Sequence, residues 1–455
     1  MERAGHTPTG RRRDAWAVVL LSFLWPGLGH LHLGRRRAAL VYGGPMVVAA
    51  VVLAAQAFEG LDVLAARLIA PSFALTVLIL VALLGLWRIL AISDALSSAR
   101  APRRGQKGAT ALAVALAGVT ALAHGGAGYI AWGFYDAGTR IFEGDVEEAT
   151  SPPLASAASL PSGPGSSDPA RAPARAGRIT FLLTGLDSGQ PGTRELTDTL
   201  LVVSFEPSGD RIVMVSFPRD IAAFPLVTGG TYPGRINSLL GWARGHPEQS
   251  SGRPLRFLTR ELGFLLGVPI QYYAAVDLDG FQRLVDLVGG VDVVNERAID
   301  DPGYDWSDGT DGFHLPAGQV HLDGRTALAF VRSRTGRDDD LTRAARQQAL
   351  LVALRRKLND PALLLRLPAL ADSAGEMVKT NFPSDSLGDL VKWGRRLDGT
   401  RIRRVVLGPP YGIAGPSLEA GGAPTLHLDM ERLAALSITL YGDESSYAPS
   451  PSSQP

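Results

Sequence analysis

Cysteine is absent from all 455 residues. That removes disulfides, thiolate nucleophiles and thiolate zinc sites together, and it leaves the compartment to be read from hydropathy. An excess of charge of one sign is missing too. With 45 Lys+Arg against 44 Asp+Glu the formal net charge is +1, so no global field marks a nucleic-acid binder, and any anion site must be local. No helix-turn-helix or basic DNA-reading element is visible, which leaves a transcription factor without support. Histidine is sparse. The four between residues 178 and 442 (His246, His314, His321 and His427) make no His-x-x-x-His pair and support neither a Ser-His-Asp nor a metal hydrolase. There is no internal repeat.

What the chain does carry is unevenly spread. Within residues 1–135, a multi-span membrane region, apolar runs at about 38–58, 68–92 and 109–132 reach the roughly 20 residues that cross a bilayer as a helix. An earlier run, 15–33, is interrupted by Pro26-Gly27 and carries Gly29, His30 and His32. Arg11 to Arg13 and Arg35 to Arg37 flank it, so the positive-inside bias makes it a re-entrant or interfacial hairpin with both ends in the cytoplasm. His30 and His32 read as interfacial rather than metal-binding, and Arg88 as a snorkelling side chain. The connecting loops alternate in charge: Glu59 and Asp62, then Arg100, Arg103, Arg104 and Lys107, then Glu143, Asp145, Glu147 and Glu148. This pattern puts everything after residue 135 outside the cell. The apolar runs extend well past any signal-peptide length, which argues against a cleaved leader.

Residues 136–177, rich in Pro, Ser and Ala from about Glu143, cannot build a core and read as an extended tether; 443–455 have similar composition and read as a disordered tail. Between them, 178–442 have the texture of a single α/β domain. Ile179–Thr184, Leu200–Phe205, Arg211–Phe217 and Ile402–Leu407 are β-branched or aliphatic runs bounded by turn residues. Leu278–Leu287, Leu341–Leu358 and Ser386–Leu397 show the three- and four-residue apolar spacing of amphipathic helices. Such mixing predicts a mixed sheet with helices packed on it.

The chemistry gathers in three places. Asp187 follows one predicted strand and Asp198 opens the next, so a turn joining the strands would bring together the two carboxylates that a hard divalent cation needs beside phosphate oxygens. Each aspartate could equally cap a turn. In Ser216-Phe217-Pro218-Arg219-Asp220 an arginine leaves a strand end, placed either for phosphate or for a surface pair with Asp220. The segment 325–346 holds six arginines: Arg325, Arg332, Arg334, Arg337, Arg343 and Arg346. If Phe330–Arg334 is extended, Arg332 and Arg334 point the same way; on the following helix Arg343, Arg346 and Gln347 share a face. Asp340 falls at that helix's N-terminus, where its plain role is a cap. The segment reads as a convergent anion site or as a solvated, ion-paired face.

These segments, in this order, resemble the LytR-CpsA-Psr (LCP) family of bacterial envelope phosphotransferases over about 178–442. The pattern runs through Leu183-Thr184-Gly185-Leu186-Asp187, Thr197-Asp198-Thr199, Val215 to Asp220 and Arg235-Ile236-Asn237. It continues through Leu284 to Val293, Leu322-Asp323-Gly324, Ala327 to Arg334 and Asp340 to Gln347. The resemblance implies an LCP-like catalytic domain in which Asp187 and Asp198 bind Mg2+. It further implies that Arg219, Arg332, Arg334, Arg343 and Gln347 hold a pyrophosphate, with Asp340 and Arg346 beside them. The implied reaction moves a glycopolymer phosphate from a polyprenyl-pyrophosphate carrier, its chain in an apolar tunnel, to a peptidoglycan hydroxyl. The apolar runs and loop charges place such a chain in the bacterial plasma membrane, multi-pass, with the lipid bilayer as a partner, and the balanced charge leaves no nucleic acid among its partners. A pyrophosphatase on the same lipid-linked glycan would use the same residues with water as nucleophile, whereas a non-catalytic polyprenyl-phosphate-binding regulator would not depend on Asp187 or Arg332. Two positions depart from the family pattern, since Gly189 and Leu196 stand where arginines are frequent, with Arg194 close by as a substitute. The segment Pro26 to Gly34 is similar to a membrane module of unclear function and departs from the single-span anchor common in the family.

Overall fold

The computed structural model describes residues 15–99, 103–142, 178–186, 196–206, 211–306, 309–333, 339–358, 360–396, 402–418 and 424–448. It divides into two compact units, 1–136 and 137–455.

The first unit is helical: α1 (Ala15–Leu24), α2 (Leu28–His32), α3 (Arg36–Glu59), α4 (Leu61–Ile69), α5 (Pro71–Ser98) and α6 (Arg103–Ile141). Three helices, Arg36–Glu59, Pro71–Ser98 and Gly105–Ile141, are long and apolar enough to cross a membrane. Each is longer than its apolar run in the sequence. The run 15–33 is two short helices, because Pro26 cannot donate a hydrogen bond and Gly27 takes φ 101°. Arg88 donates from Nη2 to the Phe23 carbonyl at 2.7 Å, at the broken end of α1. His30 is buried, lies 2.8 Å from Asp94 through Nε2 and stacks on Tyr42.

The second unit contains β1 (Ile179–Leu186), β2 (Thr197–Glu206), β3 (Arg211–Ser216), α7 (Leu239–Gly245), α8 (Pro247–Ser250), α9 (Pro254–Leu266) and β4 (Tyr272–Asp277). Then come α10 (Leu278–Leu287), β5 (Val291–Asn295), β6 (Ile299–Asp305), β7 (Asp311–Leu315), β8 (Gly318–Leu322), α11 (Gly324–Arg332) and α12 (Asp339–Leu358). The chain finishes with α13 (Leu367–Met377), β9 (Val378–Thr380), α14 (Leu387–Arg396), β10 (Ile402–Val406), β11 (Gly412–Gly415), β12 (Thr425–Leu428) and α15 (Met430–Tyr441).

A six-stranded mixed sheet in the order β10-β3-β2-β1-β4-β9 is the frame. Pairing is parallel for β1 with β4 and for β3 with β10, and antiparallel elsewhere. The C-terminal ends of β1, β3, β4 and β10 and the N-terminal ends of β2 and β9 therefore share one edge. Both faces are covered, so the middle strands read as unbroken aliphatic runs. Leu200 and Val202 join a core with α7, α9 and α15, whereas Leu201, Val203 and Met214 pack toward Leu351 and Val352 of α12. Burying each such side chain contributes about 1.5–3 kcal/mol. A further core gathers α10, α11, β5, β8 and the Leu350 and Leu354 side of α12, so α12 is wedged between it and the sheet.

Two expectations from sequence fail here. Phe330 to Arg332 is the last turn of α11, not extended chain: Asp323 caps the helix by accepting from Thr326 N at 2.8 Å, and Ala327, Leu328, Phe330 and Val331 are buried on it. Residues 443–448 are not a tail. Ser445 pairs with Ser437, Ser446 N donates to Gly267 O, and the Tyr447 hydroxyl reaches the Phe264 and Leu265 carbonyls at the end of α9. Residues 449–455, and 143–177 of the tether, lie outside the described residues. The tether's first six residues, 136–141, are helical as the end of α6.

Candidate active site at the sheet edge

Of the predicted site residues, Asp198, Arg219 and those on α12 fall at or beside the shared edge. Leu186 ends β1, so Asp187 is the next residue in the chain; Asp187 itself lies outside the described residues, as does Arg334. Asp198 is the second residue of β2. Gly185 pairs with Thr199 and Leu186 with Thr197, which makes Asp198 the extra residue of a β-bulge directly across from the end of β1. The bulge is held from behind, because the buried Thr197 hydroxyl donates to the Asn237 carbonyl at 3.2 Å. On the other side of β1, Leu186 is in register with Asp277, whose carboxylate caps α10 by accepting from Gly280 N at 3.0 Å.

Arg219 stands three residues past β3. Its loop is fixed by backbone bonds: Phe217 N to Leu200 O, Leu426 N to Asp220 O and Ile236 N to Ile221 O. The Arg219 guanidinium lies 4.0 Å from Asp220, and Asp220 also pairs with Arg235, so the surface-pair alternative for Arg219 is present alongside its place at the edge. The buried Glu261 steadies the same loop by accepting from Val227 N at 2.8 Å.

The helix α12 brings the second group. Its N-terminal half lies at this edge: Leu341, in the first turn, packs on Gly408 just past β10, and at mid-helix Gln348 Nε2 donates to Ser216 Oγ at 2.8 Å and to Val405 O at 3.1 Å, at the ends of β3 and β10, while Leu351 and Val352, further along, descend over the sheet. Asp340 is the second residue of α12, within the first turn, where unpaired amides favour an anion. Arg343 and Arg346 are buried and Gln347 half-buried, on one helix face as the spacing requires. The Arg346 guanidinium donates to Ser333 Oγ at 2.7 Å and Ser333 O at 2.6 Å and lies over Phe330, so it fastens the end of α11 to α12. Arg332, half-buried at that end of α11, is close enough to lower the Tyr304 hydroxyl's pKa, although burial, the largest influence, raises it.

Sequence reasoning missed Gln348, which ties α12 to β3 and β10, and Ser333, which ties the end of α11 to α12; neither carries a charge pattern. The one visible cue is the Gln347-Gln348 doublet, whose second member falls on the buried side.

A bulge-bearing edge of a mixed sheet, with the Arg219 loop and the arginine-bearing helix α12 beside it, marks the candidate site of an α/β domain. The LytR_cpsA_psr family model matches residues 157–407, and the chain belongs to that family. It is 32% identical over 218 residues to "Polyisoprenyl-teichoic acid--peptidoglycan teichoic acid transferase TagU" of Bacillus mycoides, across 47% of this chain and 64% of the relative. The protein of the same name from Halalkalibacterium halodurans is 30% identical over 214 residues, with the same two coverages. The chain thus spans less than two thirds of these relatives. Among solved structures, TagV of B. subtilis is similar with 23% identity and a TM-score of 0.47, covering 60% of this chain and 99% of that one.

Proposed function

We propose that the chain is a multi-pass membrane phosphotransferase with an extracytoplasmic catalytic domain. It moves a glycopolymer phosphate from a polyprenyl-pyrophosphate carrier to a peptidoglycan hydroxyl. The observation that supports this most is the meeting, at one sheet edge, of the Asp198 bulge, the Arg219 loop and the N-terminal half of α12. The relatives' name, a transferase from a polyisoprenyl-linked polymer to peptidoglycan, fits the same chemistry.

In this reading Arg219, Arg332, Arg334, Arg343 and Gln347 neutralise and orient the pyrophosphate, and Arg346 positions Arg332 through Ser333. The acceptor oxygen forms its bond to the glycan-proximal phosphorus as the bridging P–O bond breaks. Polyprenyl phosphate leaves, and the acceptor's proton passes to Asp187 or Asp198. The donor set fits Mg2+: Asp198 stands at the bulge and Asp187 begins where the paired strand ends, and two carboxylates with phosphate oxygens are what a hard cation takes. When bound, the ion would supply further charge neutralisation at the phosphate oxygens.

The test is transfer by the purified full-length chain in nanodiscs, with labelled polyprenyl-pyrophosphate-linked glycan and peptidoglycan, with Mg2+ or with EDTA. The expected product is labelled peptidoglycan, reduced on the order of 100-fold or more by Asp198→Asn. Release of free phosphorylated glycan with no transfer to any acceptor would overturn the reading in favour of a hydrolase.

A further inference from the structure

The β6–β7 ribbon adjoins the arginines and has no part in the scheme above. Tyr304, Trp306 and Phe313 pack ring against ring on it, with centroids 4.8 Å apart for Tyr304 and Trp306 and 5.7 Å for Trp306 and Phe313. Phe313 is buried and belongs to the core, whereas Tyr304 and Trp306 are half-buried and present part of their rings at the surface. The Trp306 indole N–H donates to the Gly312 carbonyl at 2.7 Å, which fixes the ring. The exposed Arg325 lays its guanidinium 4.2 Å from the Trp306 ring centroid.

Arg325 and Arg332 stand seven residues apart on α11, two turns along one face. Tyr304 feels both: each arginine opposes the rise in its pKa that burial produces. The aromatic surface therefore runs along the helix from Arg325 to the arginine assigned to the pyrophosphate. Asp301 and Asp305 act on the same phenol with the opposite sign, so the ribbon offers rings, one guanidinium and carboxylates together. That mixture suits an uncharged sugar, whose C–H face lies on an aromatic ring and whose hydroxyls take hydrogen bonds from or give them to the polar groups. It suits a polyanionic repeat poorly, because the carboxylates would repel it.

We infer that Tyr304, Trp306 and Arg325 form the subsite for the sugar joined directly to the pyrophosphate of the donor. The inference rests on the proposed function, since Arg332 must hold the phosphate for the first sugar to fall here. A single glycosidic oxygen joins that sugar to the phosphate, whereas an acceptor glycan approaches the phosphorus from the side opposite the leaving group.

The experiment uses the full-length chain in nanodiscs and two probes, polyprenyl pyrophosphate without sugar and the same lipid carrying one N-acetylglucosamine. The wild type should bind the sugar-bearing lipid about tenfold more tightly, the equivalent of one stacked ring or one charged hydrogen bond. Arg325→Ala, a surface change, and Tyr304→Phe, which keeps the ring, should each shrink that preference severalfold, with the loss confined to the sugar-bearing lipid. A preference that survives both substitutions overturns the subsite, and so does a defect that falls only on the KM for peptidoglycan, which would move these residues to the acceptor. A wild type that binds the sugar-free lipid but shows no preference overturns the subsite alone. A wild type that binds neither lipid overturns the proposed function and the subsite with it.

Discussion

Replacing Gln348 with leucine should loosen the candidate site's edge without touching a group that the proposed function assigns to substrate. The side chain is 1% exposed, and its amide donates to Ser216 Oγ at 2.8 Å and Val405 O at 3.1 Å, tying α12 to the ends of β3 and β10. Leucine nearly matches its volume, so cavity terms are small and the loss is polar. Ser216, itself 3% exposed, and the Val405 carbonyl are left to find other partners, at about 1–3 kcal/mol for a buried group left unsatisfied. Part of this is recovered because the serine hydroxyl can rotate, which gives about 2–4 kcal/mol in all, or a fall in Tm of roughly 5–12 °C for a domain of this size. The same change should weaken lipid-pyrophosphate binding, since Arg343 and Gln347 ride on the helix that is released. The assay is thermal unfolding of Gln348→Leu, Ser216→Ala and the double variant, with lipid-pyrophosphate Kd in parallel. The reasoning requires a coupling of at least about 0.5 kcal/mol between the two sites. Strictly additive effects, or a Kd unchanged by Gln348→Leu, would refute it.

Arg346→Lys keeps the charge but cannot span Ser333 Oγ and Ser333 O together; it should cost about 1–3 kcal/mol in thermal unfolding and weaken lipid-pyrophosphate binding through Arg332. Asp323→Ala removes the cap of α11 and should cost about 1 kcal/mol near neutral pH. The side-chain and backbone bonds from Thr326 hold the Asp323 carboxyl below its ordinary range, so the cap's contribution is full above that range and is lost as pH falls through the depressed value. The gap between wild type and Asp323→Ala in urea unfolding should therefore close in acid and persist in weak base. Burial pushes the Tyr447 and Tyr441 hydroxyls up to about 12. Their contribution is complete below the ordinary tyrosine range near 10 and is lost as pH rises from there through about 12, so Tyr447→Phe should flatten the alkaline limb of the stability profile.

Much of the sheet could be read from local pattern, because β1, β2 and β3 are dense with β-branched and aliphatic residues and are largely buried, while the edge strand β10 keeps a shorter Ile-Val pattern. The helices α10 and α12 announced themselves by their spacing. Reading failed where tertiary packing outweighed composition. Phe330 to Arg332 looks extended in isolation, but Asp323 starts a helix and the apolar residues on it find a core, with Gly324 required because a side chain there would strike the Gln282 carbonyl. The polar, Ser-bearing stretch at 443–448 looks unstructured, yet Tyr447 supplies an apolar body and a hydroxyl for the open end of α9. Of the site, the arginine spacing on α12 could be read directly. The bulge at Asp198 could not, because it depends on strand register, and Gln348 could not, because a helical glutamine ordinarily faces water.

Arg178, where the chain enters β1, is bound by Glu444 at 2.6 Å and Glu206 at 3.3 Å, at the end of the sheet opposite Asp198. A load drawn between that entry point and the bulge edge would act along the strand axis. β1 is laced to β2 on one side and β4 on the other, so such a load meets its ladder hydrogen bonds in shear, all strained together, instead of peeling them one at a time. A strand gripped this way resists extension far better than one unzipped from its end. With the entry at Arg178 and the bulge at opposite ends of the same pair of central strands, the sheet itself is the tension member between those two points.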